Sequence, residues 1–403
     1  MSAEKEEVIS SHTVPRTVWI LGFVSLLMDL SSELIHSVLP MFLIGTLGAS
    51  AVTLGLIEGV AEGTSQIVKI FSGAISDYIG RRKVMLLAGY GLAALSKPLF
   101  PLAGSAGTVF TARFLDRFGK GIRGAPRDAL IADITPPAIR GASYGLRQAM
   151  DSVGSVLGPA LAIALMVLFR NDIPRVMWYA LLPAVLCFAL IVIAVREPVH
   201  ENAEHRLRSP IHPRELRRFS GAYWWVVVLG AVFSLSRFSE AFLILRGQQS
   251  GLSLTWAPLV MVVMSASYAV SAYPAGKRSD RTPRTTMLGI SLVPLILAHI
   301  VLARTETVVA LLVGVALWGL HMGFSQGTLS ALVADATPRN LKGTAFGVFN
   351  LVCGVAMIPS NWLAGWLWQA HGAQTAFYVG AALATATLVL LVLTRHRSRP
   401  QTG

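Results

Sequence analysis

Long apolar stretches recur along the whole chain, separated by short polar loops. A helix rises 1.5 Å per residue, so each stretch is able to cross a hydrocarbon core of ~30 Å. The pattern places helical spans near 17–45, 52–76, 84–103, 107–134, 142–169, 175–195, 221–246, 255–275, 285–303, 307–335, 344–368 and 374–394. Between the sixth and seventh lies the one long hydrophilic connector, REPVHENAEHRLRSPIHPRELRRFS. It divides the chain into an N-terminal set of six spans (1–195), a linker (196–220) and a C-terminal set of six (221–403). The expected fold class is therefore an all-α membrane protein of 12 transmembrane helices.

Composition agrees with this reading. Hydrophobic residues make up 54% of the 403-residue chain and charged ones 14%, and mean hydropathy is +0.60. A soluble domain carries roughly 25% charged residues. The net charge of +13 would otherwise suggest a nucleic-acid partner. The bases, however, concentrate in short loops between apolar runs, so a lipid bilayer is the expected partner and nucleic acid is not.

The basic loops share one side: Arg81, Arg82 and Lys83, then Arg140, the arginines of the connector, Lys277, Arg278, Arg281 and Arg284, then Arg339 and Lys342. Opposite loops such as GTLGAS (45–50) and AGSAGT (103–108) have none. The positive-inside rule puts both termini in the cytoplasm, with a bacterial inner (plasma) membrane as the expected setting. The polar start MSAEKEEVISSHTVPR lacks the pattern of a cleaved signal and reads as a cytoplasmic tail. Cys187 and Cys353 both fall in apolar runs and are expected to be packing residues. A phosphate loop, HExxH, a G-x-S-x-G elbow and a soluble domain are all missing, which argues against an enzyme.

Two segments repeat. GAISDYIGRRK, starting at Gly73, returns as GKRSDRTPR from Gly276. ADITPPAIRGASYG, starting at Ala132, returns as ADATPRNLKGTAFG from Ala334. The two offsets are nearly equal, so the halves read as parallel repeats.

These residues carry a family resemblance. GAISDYIGRRKVML is similar to the G-x-x-x-D-x-x-G-R-[RK] loop of the major facilitator superfamily, with its echo where that family repeats it. RFGKGIRGA (117–125) resembles the family's fourth-helix pattern, with Lys120 where Gln is usual. GSVLGP (154–159) resembles the G-x-x-x-G-P motif of its drug/proton antiporter branch, without the glycine pair that often follows. The resemblance implies two pseudo-symmetric six-helix bundles rocking about a central site, proton-coupled export of a small organic molecule, and no cofactor. A monomer is expected.

The candidate residues fall into groups. Asp77, with Gly73, Gly80, Arg81 and Arg82 and its echo Asp280, forms a loop able to pin helix ends by charge-assisted bonds in one state of a rocking cycle. Gly154, Gly158 and Pro159 would let the fifth span approach a neighbour closely and bend.

Arg113, Asp116, Arg117, Lys120, Arg123 and Arg127 lie on the fourth span within roughly 120° of helical arc. Such a stripe cannot face lipid; it faces water, partner acids or a ligand. Five bases against one acid leave charge to be balanced by acids elsewhere or by an anionic substrate. The matching stretch of the second half keeps only Trp318, His321 and Gln326 as polar handles. Arg237 and Glu240, three apart in the seventh span, form a smaller charged set, expected either to belong to the same proton-coupling and substrate cavity or simply to pair with each other. Glu58, Glu62 and Lys69 share a stripe of the second span and stay unassigned.

In MDLSSELIH, Asp29, Glu33 and His36 fall within about 60° on one face of an otherwise apolar span. Charge at that depth costs about 2.5–3.5 kcal/mol per residue on insertion scales. The stretch is expected to form one wall of an aqueous cavity facing the basic fourth span, exchanging protons or pairing with it. The alternative is transport of a transition-metal ion or metal chelate. Asp29, Glu33 and His36 would then be ligands, with Met28 and Met41 as softer donors and His321 or Glu240 completing the set.

Overall fold

Serine side chains start several helices. Ser50 Oγ accepts from Thr53 N at 3.1 Å, Ser105 Oγ from Thr108 N at 3.3 Å and Ser220 Oγ from Tyr223 N at 3.3 Å. Each satisfies one of the orphan donors of a first turn. In the computed structural model, which describes residues 14–196, 216–279, 282–325, 327–338 and 341–393, the regular structure is helical.

The first half contains α1 (Arg16–Met41, continued by a π turn over Phe42–Thr46), α2 (Ala51–Ile79), α3 (Arg82–Ser96), α4 (Ala106–Ile134), α5 (Arg140–Leu168), α6 (Ile173–Trp178) and α7 (Leu181–Ala194). The second half contains α8 (Gly221–Leu235), α9 (Ala241–Gln249), α10 (Leu259–Ser279), α11 (Arg284–Arg304), α12 (Val308–Ser325), α13 (Thr328–Asp335), α14 (Lys342–His371) and α15 (Ala373–Leu393). Asp280, Gln326, Arg339 and most of the central linker lie outside the described residues.

Among the described residues, eight helical stretches are long and apolar enough to cross a membrane. Helices α2 and α4, at 29 residues each, are long enough but fall outside that set. Their charges explain it: Glu58, Glu62 and Lys69 on α2, and the basic stripe on α4. The expected spans at 221–246 and 307–335 are each interrupted. Helix α8 stops at Leu235 and α9 starts at Ala241. Between α12 and α13, Gly327 adopts φ +72°, a left-handed conformation that glycine takes without a Cβ clash.

Within the first half α1 packs on α5 and α7, and α4 packs on α2 and α3; within the second, α12 packs on α10 and α11, and α11 on α15. The halves meet where α2 lies on α14, α5 on α10 and α9 on α1. Small residues set the first of these seams. A Cβ at Gly63 would lie 2.7 Å from Gly354 O, and Gly55 and Gly365 approach the backbone of Asn361 and Ala51 more closely still. Backbone-to-backbone packing of this kind is the usual way membrane helices gain dispersion energy. One apolar core runs across both halves, from Leu34 and Leu39 to Phe377 and Leu391, and a second surrounds α1, α3 and α7.

Candidate functional site

A cavity of about 420 Å³ lies between the halves, lined by α1, α2, α4 and α5 on one side and by the α8–α9 break, α10, α12 and α14 on the other. On α2 its lining runs from Glu62 to Lys69 and on α4 from Arg117 to Arg127. Both runs head toward the helix ends that carry the basic loops. Beyond its deepest residues, at the opposite end, α2 and α14 are in close glycine contact and Thr255 Oγ1 donates to Asn171 Oδ1 at 2.8 Å. The two halves are thus in contact at the ends opposite the basic loops.

Its floor is a buried polar cluster centred on Glu58, which is fully buried. Arg113 grips Glu58 with both arms, Nε to Oε1 at 3.0 Å and Nη2 to Oε2 at 2.8 Å. Ser239 Oγ, from the α8–α9 break of the other half, donates to the same carboxylate at 3.1 Å. The Ser239 amide in turn donates to Asn361 Oδ1 on α14 at 2.6 Å. His36 bridges two acids, with Nδ1 3.4 Å from Glu33 Oε2 and Nε2 3.4 Å from Glu58 Oε2. Behind this cluster Lys97 donates to Asp116 Oδ1 at 2.8 Å and to Ser32 Oγ at 2.9 Å, and Asp116 Oδ2 lies 4.0 Å from Arg113 Nη1. Arg117 Nε sits 3.0 Å from Glu62 Oε1, an ion pair short of hydrogen-bond alignment. Taking charges out of water is expensive unless they are paired and hydrogen-bonded. This cluster meets that condition almost group by group.

The basic stripe of α4 therefore finds its main counterpart on α2, at Glu58 and Glu62, rather than on α1. Further along, Arg127 donates to Ser25 Oγ at 2.8 Å and lies 3.9 Å from Asp151, which also pairs with Arg147. Acids from α2, α4 and α5 thus balance much of the charge that looks unbalanced on α4 alone. Arg113 and Asp116 are buried behind the cavity rather than lining it, whereas Arg117, Lys120, Arg123 and Arg127 line it.

Arg237 and Glu240 line the cavity too, but among the described residues they form no ion pair with each other. The expectation that they pair fails because the helix is interrupted between Leu235 and Ala241. Three-residue spacing puts side chains on one face only where the chain is helical.

Asp29 and Lys120 both line the cavity, and among the described residues neither forms a hydrogen bond or ion pair. Asp151, Lys120, Arg123 and Glu33 all lie within electrostatic reach of Asp29. Helix α5 holds Asp29 and Glu33 in place. A Cβ at Gly154 would lie 2.6 Å from Leu26 O and 3.1 Å from Asp29 Cβ; one at Gly158 would lie 2.7 Å from Leu30 O and 3.1 Å from Glu33 Cβ. These glycines seat α1 against α5 at the level of the two acids, with Pro159 buried one residue further on.

The loop around Asp77 acts within the first half. Arg82 Nη1 donates to Asp77 Oδ1 at 2.8 Å and to Ser76 Oγ at 3.3 Å, and its Nε donates to Asp133, joining the ends of α2, α3 and α4. Gly80 ends α2 at φ +66°, and Gly73 faces Ala125 of α4, where a Cβ would make only ordinary van der Waals contact. Arg81 stays exposed.

Of the metal alternative, Asp29, Glu33 and His36 share the cavity wall. Among the described residues, however, no group of three or more His, Cys, Asp or Glu side chains is arranged to hold an ion. Glu33 and Glu58 turn toward His36, and Arg113 and Ser239 also donate to Glu58. His321 is buried, with Nδ1 2.7 Å from Ser291 O, and does not reach the cavity. Cys187 and Cys353 are free thiols.

Sequence reasoning missed Lys97, Asp151, Ser239 and Asn361. Lys97 and Asp151 were legible as charges inside apolar runs. Nothing in the pattern singles out Ser239 and Asn361, whose role comes from the contact between halves.

A charged, half-enclosed cavity between two packed sets of apolar helices is the hallmark of a multi-pass membrane transporter. The chain belongs to the Major Facilitator Superfamily, whose model matches residues 21–361. It is 30% identical over 393 residues to an uncharacterized MFS-type transporter of Methanocaldococcus jannaschii, covering 95% of this chain and 96% of that one. It is 25% identical to a multidrug resistance protein of Photorhabdus laumondii, covering 87% and 86% respectively. A crystal structure of a POT family transporter in complex with 5-aminolevulinic acid superposes with TM-score 0.80 at 13% identity, covering 95% of this chain and 97% of that one. The protein is a multi-pass secondary transporter with a small-molecule substrate, and it is not an enzyme.

Proposed function

We propose that the protein is a proton-coupled exporter of a small organic molecule, working by alternating access between two six-helix bundles, 1–195 and 221–403, joined by a cytoplasmic linker. In this reading twelve spans cross the plasma membrane as a monomer with both termini inside. The interrupted helices α6–α7, α8–α9 and α12–α13 each count as one span. The positive-inside rule makes the basic loop ends cytoplasmic, so the conformation described above is inward-open. The Asp77–Arg82–Asp133 contacts brace the first bundle at that end.

The observation that carries the reading is Asp29: a carboxylate on the cavity wall with no ion-pair partner among the described residues, set near the acids Asp151 and Glu33 as well as the bases Lys120 and Arg123. A carboxylate free of a committed partner can take up a proton in one state and give it up in the other, and a substrate occupying the same space competes with that proton. Glu33 and His36, next along the same face, link Asp29 to the buried Glu58 cluster and so to the contact between bundles. The likeness to a multidrug resistance protein supports export of an organic molecule.

The test is transport in proteoliposomes. Asp29→Asn should abolish accumulation driven by a pH gradient while leaving gradient-free exchange and membrane insertion intact. Undiminished gradient-driven transport by that variant would remove Asp29 from the coupling role.

A further inference from the structure

We infer that the transported molecule is an amphipathic organic anion. Its acidic headgroup binds at Lys120 and Arg123, and its apolar body lies along a methionine wall of the second half. The inference rests on the export reading above and specifies the ligand chemistry of the same cavity.

Arg123 is 4% exposed, yet its guanidinium makes no hydrogen bond or ion pair among the described residues, and Nη1 is shielded from solvent without a partner. Its one specific contact is a face-on approach to Tyr90, 4.5 Å from the ring centroid. A cation–π contact of this kind fixes the plane of a guanidinium without neutralising it. Every other arginine of the α4 stripe has a carboxylate within ion-pair distance: Arg113 has Glu58, Arg117 has Glu62 and Arg127 has Asp128 and Asp151. Arg123 is the buried exception; Lys120, one turn earlier on the same face, is also unpaired but exposed on the cavity wall. Burying an unneutralised cation is strongly unfavourable. Six basic side chains line the cavity against five acidic ones, and Arg123 is the buried base left without an acid at ion-pair distance, so an anion can complete it. Arginine with its planar fork suits a carboxylate, sulfonate or phosphate.

The opposite wall has different chemistry. Met261, Met264, Met322 and Met357, from three different helices, all face the cavity. Unbranched thioether side chains adapt to apolar ligands of varied shape. A volume of about 420 Å³ lies within the range that encloses a drug-sized molecule. An acidic end against Lys120 and Arg123 with an apolar body on the methionines matches both walls. A bare inorganic anion would leave the methionine wall empty, and an organic cation would oppose the charge excess.

The experiment measures binding to the purified full-length protein in nanodiscs of neutral phosphatidylcholine, with empty discs as control and no gradient imposed. The probes are naphthalene-1-sulfonate, naphthalen-1-ylmethylammonium, naphthalene and methanesulfonate. The sulfonate should bind, with each of the other three at least tenfold weaker. Arg123→Gln and Lys120→Gln should each weaken the sulfonate about tenfold, with Arg123→Lys partly restoring it. The inference is overturned if the ammonium binds as tightly as the sulfonate. It is equally overturned if methanesulfonate matches the sulfonate, if no probe binds, or if both glutamine variants bind within twofold of the unaltered protein. The comparison among probes needs no variant, so it stands even if a substitution impairs folding. Binding without a gradient is also independent of Asp29 as proton carrier, so failure here and failure of the coupling reading are separate results.

Discussion

Glu58 sits where the charge network and the contact between halves coincide, so its removal is the most informative perturbation. It is fully buried, Arg113 is 2% exposed, and the two share a bidentate pair at 3.0 and 2.8 Å. Glu58→Leu leaves the guanidinium buried and uncompensated, and also strips partners from His36 and Ser239. Breaking a buried pair from one side destabilises by about 3–5 kcal/mol, whereas replacing both partners with apolar residues is often neutral. Arg113→Leu should therefore be as damaging as Glu58→Leu, and the double variant less so than either. The coupling energy expected from the cycle is on the order of 3 kcal/mol. Ser239→Ala removes one hydrogen bond to a charged acceptor, worth about 1.5–3 kcal/mol, and should lose that effect in the Glu58→Leu background. The assay is denaturant unfolding of the purified protein in mixed micelles, followed by tryptophan fluorescence. Single variants within about 1 kcal/mol of the parent, or a double variant as weak as the sum of its parts, would refute the cluster as described.

Other expectations follow from the same geometry. Gly158→Val puts a branched side chain against Leu30 O and Glu33 Cβ, and overpacking of this kind costs about 1–3 kcal/mol. Reduced thermal stability together with slower transport would bear this out. Gly80→Ala forces a Cβ into left-handed backbone at φ +66° and should cost about 1–2 kcal/mol, read as a lower unfolding midpoint. Asp77→Asn should change stability by less than about 1 kcal/mol, because the Asp77 carboxylate is 70% exposed and such pairs are weak. A large fall in its midpoint would mean that Asp77 has a buried partner in another state.

Much of this was legible in the sequence. Apolar run length located most of the helices, although two of the expected spans are interrupted. The charges of α1 and α4 are costly at membrane depth, and that cost marked them as cavity or cluster residues before any fold was known. The pairing was not legible. Glu58 and Glu62 looked no more committed than Asp29, because which acid meets which arginine depends on helix rotation and separation rather than on spacing within one helix. Arg237 and Glu240 misled for a related reason. Their spacing signals a pair only if the helix is continuous, and nothing in LSRFSE breaks helical propensity strongly enough to announce the interruption. The methionine wall was hidden as well, since Met261, Met264, Met322 and Met357 come from three helices and meet only in the folded protein.

The central claim is exchange of an organic molecule for protons through one cavity. The most direct measurement is proton movement in proteoliposomes with an entrapped pH-sensitive dye, recorded while whichever naphthalene probe binds is added to one face. Antiport predicts that protons leave the lumen as the probe enters, that a protonophore collapses the signal, and that Asp29→Asn abolishes it. Probe entry with no change in lumenal pH, or with protons moving in the same direction as the probe, would contradict the account.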